Sequence, residues 1–254
     1  MSYLIDTHAH IDMYENWEEI VEDAQQNGIK KIVIPSVEEQ YFQKIINIIN
    51  SNDNLYGMLG IFPTEAKTWD DNILDKMKEL ASNKKIVAIG EIGLDYYWDK
   101  TFVDKQKDIF VKQIKLANEL DLPIVIHDRE AHKDCFDIIK ELGVKNNKVL
   151  FHCFSGSPEF AMECVKKGWY IALGGVVTFK NAIKAKEVAK TIPLSHLVLE
   201  TDSPYLTPVP FRGKENRPAY VRYVAEEIAQ LREVNIEEII ETTTQNAEKF
   251  FGII

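Results

Sequence analysis

The residues of this chain best suited to chemistry are histidines and carboxylates placed where short apolar runs break off. They are His8 and His10 in IDTHAH, Glu91 in VAIGEIGLD, His127 in IVIHDR, His152 in VLFHCF and Asp202 in LVLETDSP. Side chains two residues apart on a strand share a side, so His8 and His10 deliver two imidazoles into one space. Imidazole and carboxylate together suit a divalent metal. An isolated HxH carries little weight. Five runs that each end on a metal-competent side chain carry much more, because function in α/β barrels collects where the strands end.

Six donors exceed the needs of one tetrahedral ion, so two ions sharing a carboxylate is the economical reading. Glu91, midway along the series, is the natural bridge. One ion then falls to His8, His10, Glu91 and Asp202, the other to Glu91, His127 and His152. Such a pair polarises an ester or phosphoryl oxygen and makes water acidic enough to attack at neutral pH. Asp202, with Glu91 the second catalytic carboxylate, is placed to accept the proton of that water. The competing role for Asp202 is a helix N-cap before Ser-Pro. Mixed ligands leave the ion open among Zn²⁺, Mg²⁺, Mn²⁺ and similar cations.

The elements that must position these groups follow from the hydropathy pattern. Strand-like runs at 3–7, 31–35, 56–61, 86–90, 123–126, 149–151, 169–173 and 197–199 alternate with stretches such as WEEIVEDAQQNG and KQKDIFVKQIKLANEL, whose apolar residues recur at helical spacing. Eight such repeats, with no Gly-rich nucleotide turn after the first strand, predict a (β/α)8 TIM barrel of the α/β class. The length, 254 residues with 45% hydrophobic content, fits one domain spanning 1–254. No apolar run of about 18 residues and no signal-peptide pattern occurs, which predicts a cytoplasmic chain without a membrane partner. Three cysteines without a CxxC pair agree with a reducing compartment. A net charge of −10 argues against a general nucleic-acid coat, so any phosphate contact must be local.

DTHAHID, GEIGLDYY, PIVIHDREA, HCFSG, ETDSPYLTP and RGKENRP, in that order over nearly the whole chain, resemble the signature blocks of the TatD family of metal-dependent deoxyribonucleases, within the amidohydrolase superfamily. The resemblance implies a TIM barrel, a divalent metal pair and hydrolysis of phosphodiester bonds in DNA, with His8, His10, Glu91, His127, His152 and Asp202 at the ligand positions. One departure stands out. The family commonly carries a His-Pro pair after the third strand, whereas this chain reads Gly60-Ile61-Phe62-Pro63-Thr64. Phe62 can neither bind metal nor donate a proton.

For substrate contacts, Arg212, Lys214 and Arg217 in PFRGKENRP read as an anion clamp near Asp202, and Arg129 beyond His127 suits the same task. A solvated loop with Arg217 paired to Glu215 or Glu226 is the plainer alternative. Tyr96, Tyr97 and Trp98 suit stacking on unpaired bases or, equally, covering a core edge. Asp95 and Asp128 are candidates for orienting imidazoles. Ser157-Pro158 reads as a helix start, and with no GxSxG elbow a serine nucleophile is not expected. The expectation is therefore a hydrolase releasing nucleotides from single-stranded or end-exposed DNA without an obligate protein partner. The alternatives are a related hydrolase acting on an ester, lactone or amide, and a non-catalytic barrel serving as a scaffold.

Overall fold

The computed structural model describes residues 2–253. Eight strands, β1 (Leu4–Asp6), β2 (Ile29–Ile34), β3 (Leu55–Leu59), β4 (Ile86–Asp95), β5 (Ile124–Arg129), β6 (Val149–Phe151), β7 (Tyr170–Leu173) and β8 (Leu197–Leu199), follow one another in chain order in one sheet. Helices α1 (Trp17–Gln26), α2 (Phe42–Ser51), α3 (Asn72–Leu80), α4 (Val103–Leu120), α5 (His132–Leu142), α6 (Pro158–Lys166), α7 (Ile183–Thr191), α8 (Val221–Arg232) and α9 (Ile236–Phe251) intervene or follow. This is the (β/α)8 TIM barrel that the alternation predicts. Two compact units make it up: Pro35–His152, and the chain before Pro35 together with everything after His152. Among the described residues no helix is long and apolar enough to cross a membrane.

In the unit formed by the two chain ends, β1 pairs parallel with β2 and β7 with β8. Every residue of β7 and β8 is buried, as expected of parallel strands covered on both faces. Helix α9 buries Ile239, Ile240, Thr243, Ala247 and Phe250, one face at three- and four-residue spacing. It starts on Asn235, whose side chain accepts from the Glu237 amide, and ends at Gly252 in a left-handed turn at φ 70°. Glu248 of α9 meets the buried Lys31 ammonium at 3.0 Å and also accepts the Tyr3 hydroxyl. Lys31 in addition donates to the Ile253 carbonyl at 3.0 Å. Burial alone would raise the Glu248 carboxyl, but the Tyr3 and Lys31 hydrogen bonds outweigh it and hold the group below its ordinary value.

In the Pro35–His152 unit, β3 to β6 pair parallel in sequence order. Here β4 and β5 outrun the predicted ends at Gly90 and Ile126. β4 continues to Asp95 and β5 to Arg129, with the register shifting between Ile89 and Ile92 and then resuming from Ile92↔Ile126 to Asp95↔Arg129. Glu91 and His127 therefore sit inside strands and not at their tips. The enabling residue is Gly93, at φ 143°, where an added Cβ would lie 2.0 Å from the His127 carbonyl oxygen. No other residue admits both that backbone and that approach.

Candidate metal centre

Each unit carries three of the six predicted ligands. Beyond the end of β1 the backbone is anchored on both sides: the Thr7 amide donates to Leu199, Ala9 to Val33 and His10 to Ser203, and the Asp202 amide donates to the His8 carbonyl. The anchored backbone sends both imidazoles the same way, with ring centroids 5.2 Å apart in an edge-to-face arrangement. Asp202 meets them, its Oδ1 lying 3.8 Å from Nε2 of His8 and 3.5 Å from Nε2 of His10. It does so from a left-handed backbone at φ 55°, a conformation that aspartate tolerates better than most residues. No helix begins there, so the N-cap reading of Asp202 falls away. Both imidazoles are buried, while the Asp202 side chain keeps 16% exposure, enough to reach water.

Asp6 secures this half. Its carboxylate accepts the amides of His8 (3.2 Å) and Thr201 (3.0 Å) and the Thr201 hydroxyl (2.5 Å), tying the end of β1 to that of β8. Burial pushes its pKa up to about 8 despite those donors. Asn216, fully buried, pins the segment after Asp202 by donating to the carbonyls of Thr201 (2.9 Å) and Tyr205 (2.5 Å).

In the other unit, Oε1 of Glu91 faces Nδ1 of His127 at 3.0 Å and Nε2 of His152 at 2.7 Å. One ligand atom from each of the three lies within 4.8 Å of the others, so the donor set is already gathered as a divalent cation needs. The second nitrogen of His127, Nε2, is 2.9 Å from Oδ2 of Asp95. Asp95 is fully buried, and its Oδ1 accepts the amides of Tyr97 (2.9 Å) and Trp98 (3.1 Å). Burial works against the Asp95 charge, yet the His127 bond and these amides hold its carboxyl below the ordinary value. His127 is likewise resisted by burial, but Asp95 and Glu91 together raise it. With Nε2–H committed to Asp95, Nδ1 is the nitrogen left for a metal beside Glu91. Asp128, the other candidate for orienting a ligand, instead pairs with His132 at 2.6 Å.

Several contributors went unpredicted. Gln106 and Gln113, seven residues apart on the buried face of α4, each grip a strand end: Gln106 bonds the amide and carbonyl of Asp95, Gln113 those of Ile61. The only sequence signal is two glutamines on an otherwise apolar stripe. Glu200, fully buried, accepts the Cys153 amide at 2.5 Å and brings a carboxylate oxygen within 4.8 Å of a His8 ring nitrogen. It is the acid that directly ends β8, and the same reasoning that selected Asp202 applies to it. Tyr205 stands edge-on to His10, with centroids 6.1 Å apart.

Phe62 packs its ring against His127 at 4.4 Å between centroids, so the position where the resemblance predicts a histidine forms an apolar wall on a predicted ligand. The predicted anion contacts are held in different ways. Arg217 pairs with Asp23 at 3.3 Å, a partner neither Glu215 nor Glu226; Glu226 is taken by Arg222. Arg212 donates to the Thr207 carbonyl at 3.0 Å and lies 3.9 Å over Phe179, and Lys214 is exposed beside Phe211. Arg129 rests on Tyr97. Ser157 caps α6 by accepting the Phe160 amide at 3.2 Å, with Pro158 in the first turn, as its sequence predicts.

Comparison with known proteins places the whole chain beside one family. Residues 5–252 match the family model described as TatD related DNase. An uncharacterized metal-dependent hydrolase of Bacillus subtilis, YabD, is 46% identical over 98% of this chain and 99% of its own length. Escherichia coli YcfH, of the same description, is 34% identical over 99% of this chain and 96% of its own. The crystal structure of YjjV, a TatD homolog from E. coli, superposes with a TM-score of 0.93 at 31% identity, covering 99% of this chain and 98% of that one.

Proposed function

The chain belongs to the TatD-related DNase family and is a metal-dependent hydrolase of that family, and on that premise we propose that its substrate is DNA, cut at phosphodiester bonds near single-stranded or exposed ends. The observation that carries this reading is the pair of largely buried donor sets, His8–His10–Asp202 and Glu91–His127–His152. His8, His10 and Asp202 would hold one divalent ion, and Glu91, His127 and His152 would hold another. When bound, such ions supply Lewis acidity, polarising a phosphoryl oxygen and making water acidic enough to attack at neutral pH.

The protein's own groups do the rest. Asp202, the most exposed member of its set, accepts the proton of the attacking water. Asp95 keeps the His127 ring fixed with Nδ1 turned to Glu91. Arg129, Arg212, Lys214 and Arg217 are the candidates for holding phosphates, and of these Arg217 must first release Asp23. The working place we assign is the cytoplasm, because three cysteines without a CxxC pair fit a reducing compartment.

The test is release of nucleotides from single-stranded DNA by purified protein, metal-stripped or supplied with Mg²⁺, Mn²⁺ or Zn²⁺. Turnover should require metal and fall at least about 100-fold in Asp202→Asn. Absence of metal-dependent cleavage refutes the reading. A second reading, hydrolysis of an ester, lactone or amide, is favoured by one observation: the Phe62 ring against His127 makes that wall apolar. Small esters assayed in parallel decide between the two.

A further inference from the structure

Most large aromatic side chains of this protein are buried or half-buried, but Trp98 and Tyr97 are 67% and 50% exposed and adjacent. Their rings meet edge to face, 5.0 Å apart between centroids at 85°. The guanidinium of Arg129 lies 3.8 Å from the Tyr97 centroid and 5.3 Å from that of Trp98. Among the described residues it meets these rings and no carboxylate, and the neighbouring Glu130 is engaged by Lys100 at 3.7 Å. This cation thus keeps its hydrogen-bonding edge while its face is occupied. Nor is the cluster a loose loop: Asp95 receives the amides of both aromatic residues on one oxygen and His127 on the other. The exposed rings and the metal ligand hang from one buried carboxylate.

We propose that Trp98, Tyr97 and Arg129 form a stacking ledge for an unpaired nucleobase, with Arg129 taking the phosphate attached to that nucleotide. The proposal rests on the phosphodiester reading above and names the feature of the substrate that is selected. A flat, exposed ring accepts any base because every base offers a π-face, whereas a base inside a duplex has both faces covered by its neighbours. The ledge therefore selects unpaired strands without selecting sequence, and it supplies a local cationic phosphate contact on a chain whose net charge is −10.

The experiment measures binding of the metal-loaded protein to a fluorescent, cleavage-resistant phosphorothioate oligothymidylate and to the same strand carrying abasic sites, by fluorescence anisotropy. The parent protein should prefer the base-bearing strand by about fivefold or more, and Trp98→Ala should abolish that preference. Arg129→Gln should weaken both strands alike, as loss of a phosphate contact does. A parent protein that binds neither strand or binds both equally, or a Trp98→Ala variant that keeps the preference, overturns the ledge. Circular dichroism confirms that the variants fold. Metal-dependent hydrolysis of bis(p-nitrophenyl) phosphate, a diester without a base, reports on the reaction separately. Hydrolysis without base preference removes the ledge and leaves the hydrolase. Base preference lost in Trp98→Ala, with no diester cleaved, keeps the ledge and removes the reaction.

Discussion

Replacing Asp95 by Asn exchanges one carboxylate oxygen for an amide NH2 and changes almost nothing in shape. Asp95 accepts three hydrogen bonds, from Nε2 of His127 at 2.9 Å and from the Tyr97 and Trp98 amides at 2.9 and 3.1 Å. If the remaining carbonyl serves the two amides, the new NH2 faces the Nε2–H of His127, and two donors meet. The imidazole relieves the conflict by moving its proton to Nδ1, which lies 3.0 Å from Glu91 and is the nitrogen needed for metal. Loss of such a partner typically weakens metal binding about 10- to 100-fold, or roughly 1.4–2.7 kcal/mol. The metal-free fold should also lose about 1.5–3 kcal/mol for hydrogen bonds to a charged acceptor, which is about 3–12 °C in Tm for a chain of this size.

Isothermal titration of Mn²⁺ or Zn²⁺ into metal-stripped parent and Asp95→Asn protein measures the first effect. One binding event should weaken by the stated factor, with the other little changed. The parent should also release protons on metal uptake near neutral pH, because Asp95 and Glu91 hold the His127 pKa above its ordinary value and the metal requires the neutral ring. Titrations in buffers of different ionisation enthalpy detect that release. Affinities within about twofold of the parent in a folded Asp95→Asn protein would refute this reasoning.

Gly93→Ala should cost at least about 2 kcal/mol in urea unfolding, since a Cβ there would meet the His127 carbonyl oxygen at 2.0 Å on a backbone at φ 143°. Phe62→His places an ionisable ring where Phe62 packs on His127. Under the phosphodiester reading DNA turnover should rise about tenfold or more, and a fall in turnover favours the ester reading. Because Glu248 is held below its ordinary carboxyl value, it contributes stability above that range that is lost as the pH drops through the depressed folded value. Lys31→Met should therefore lower urea stability by about 1–3 kcal/mol at pH 7, with the gap closing toward pH 3.

Much of the fold was legible because its signals are local. Apolar runs alternate with helical periodicity, and seven of the eight predicted strands overlap the observed ones to within a few residues at each end. The eighth, β4, runs on to Asp95 past the predicted end at Gly90, where the apolar run breaks on Glu91. In the structure Gly93 makes the close approach to β5 and Asp95 turns inward, so the polar letters belong to a buried strand. The metal-competent side chains stood out for a related reason, since an imidazole or carboxylate that interrupts a Val/Ile/Leu run has few structural uses.

What the chain determined by itself is the alternation of elements, the six metal-competent side chains and the two-residue spacing that lets His8 and His10 meet. Each depends on residues within a few positions of one another. Tertiary structure decided everything that depends on a distant partner. Asp95, not Asp128, orients His127. Gln106 and Gln113 of α4 hold strand ends 11 and 52 residues away in sequence. Arg217 is claimed by Asp23, 194 residues away, while Arg129 is left on two exposed rings. Hydrogen bonds and ion pairs act over about 3–4 Å of space whatever the separation along the chain, so only folding settles which of several equivalent acids or bases becomes the partner.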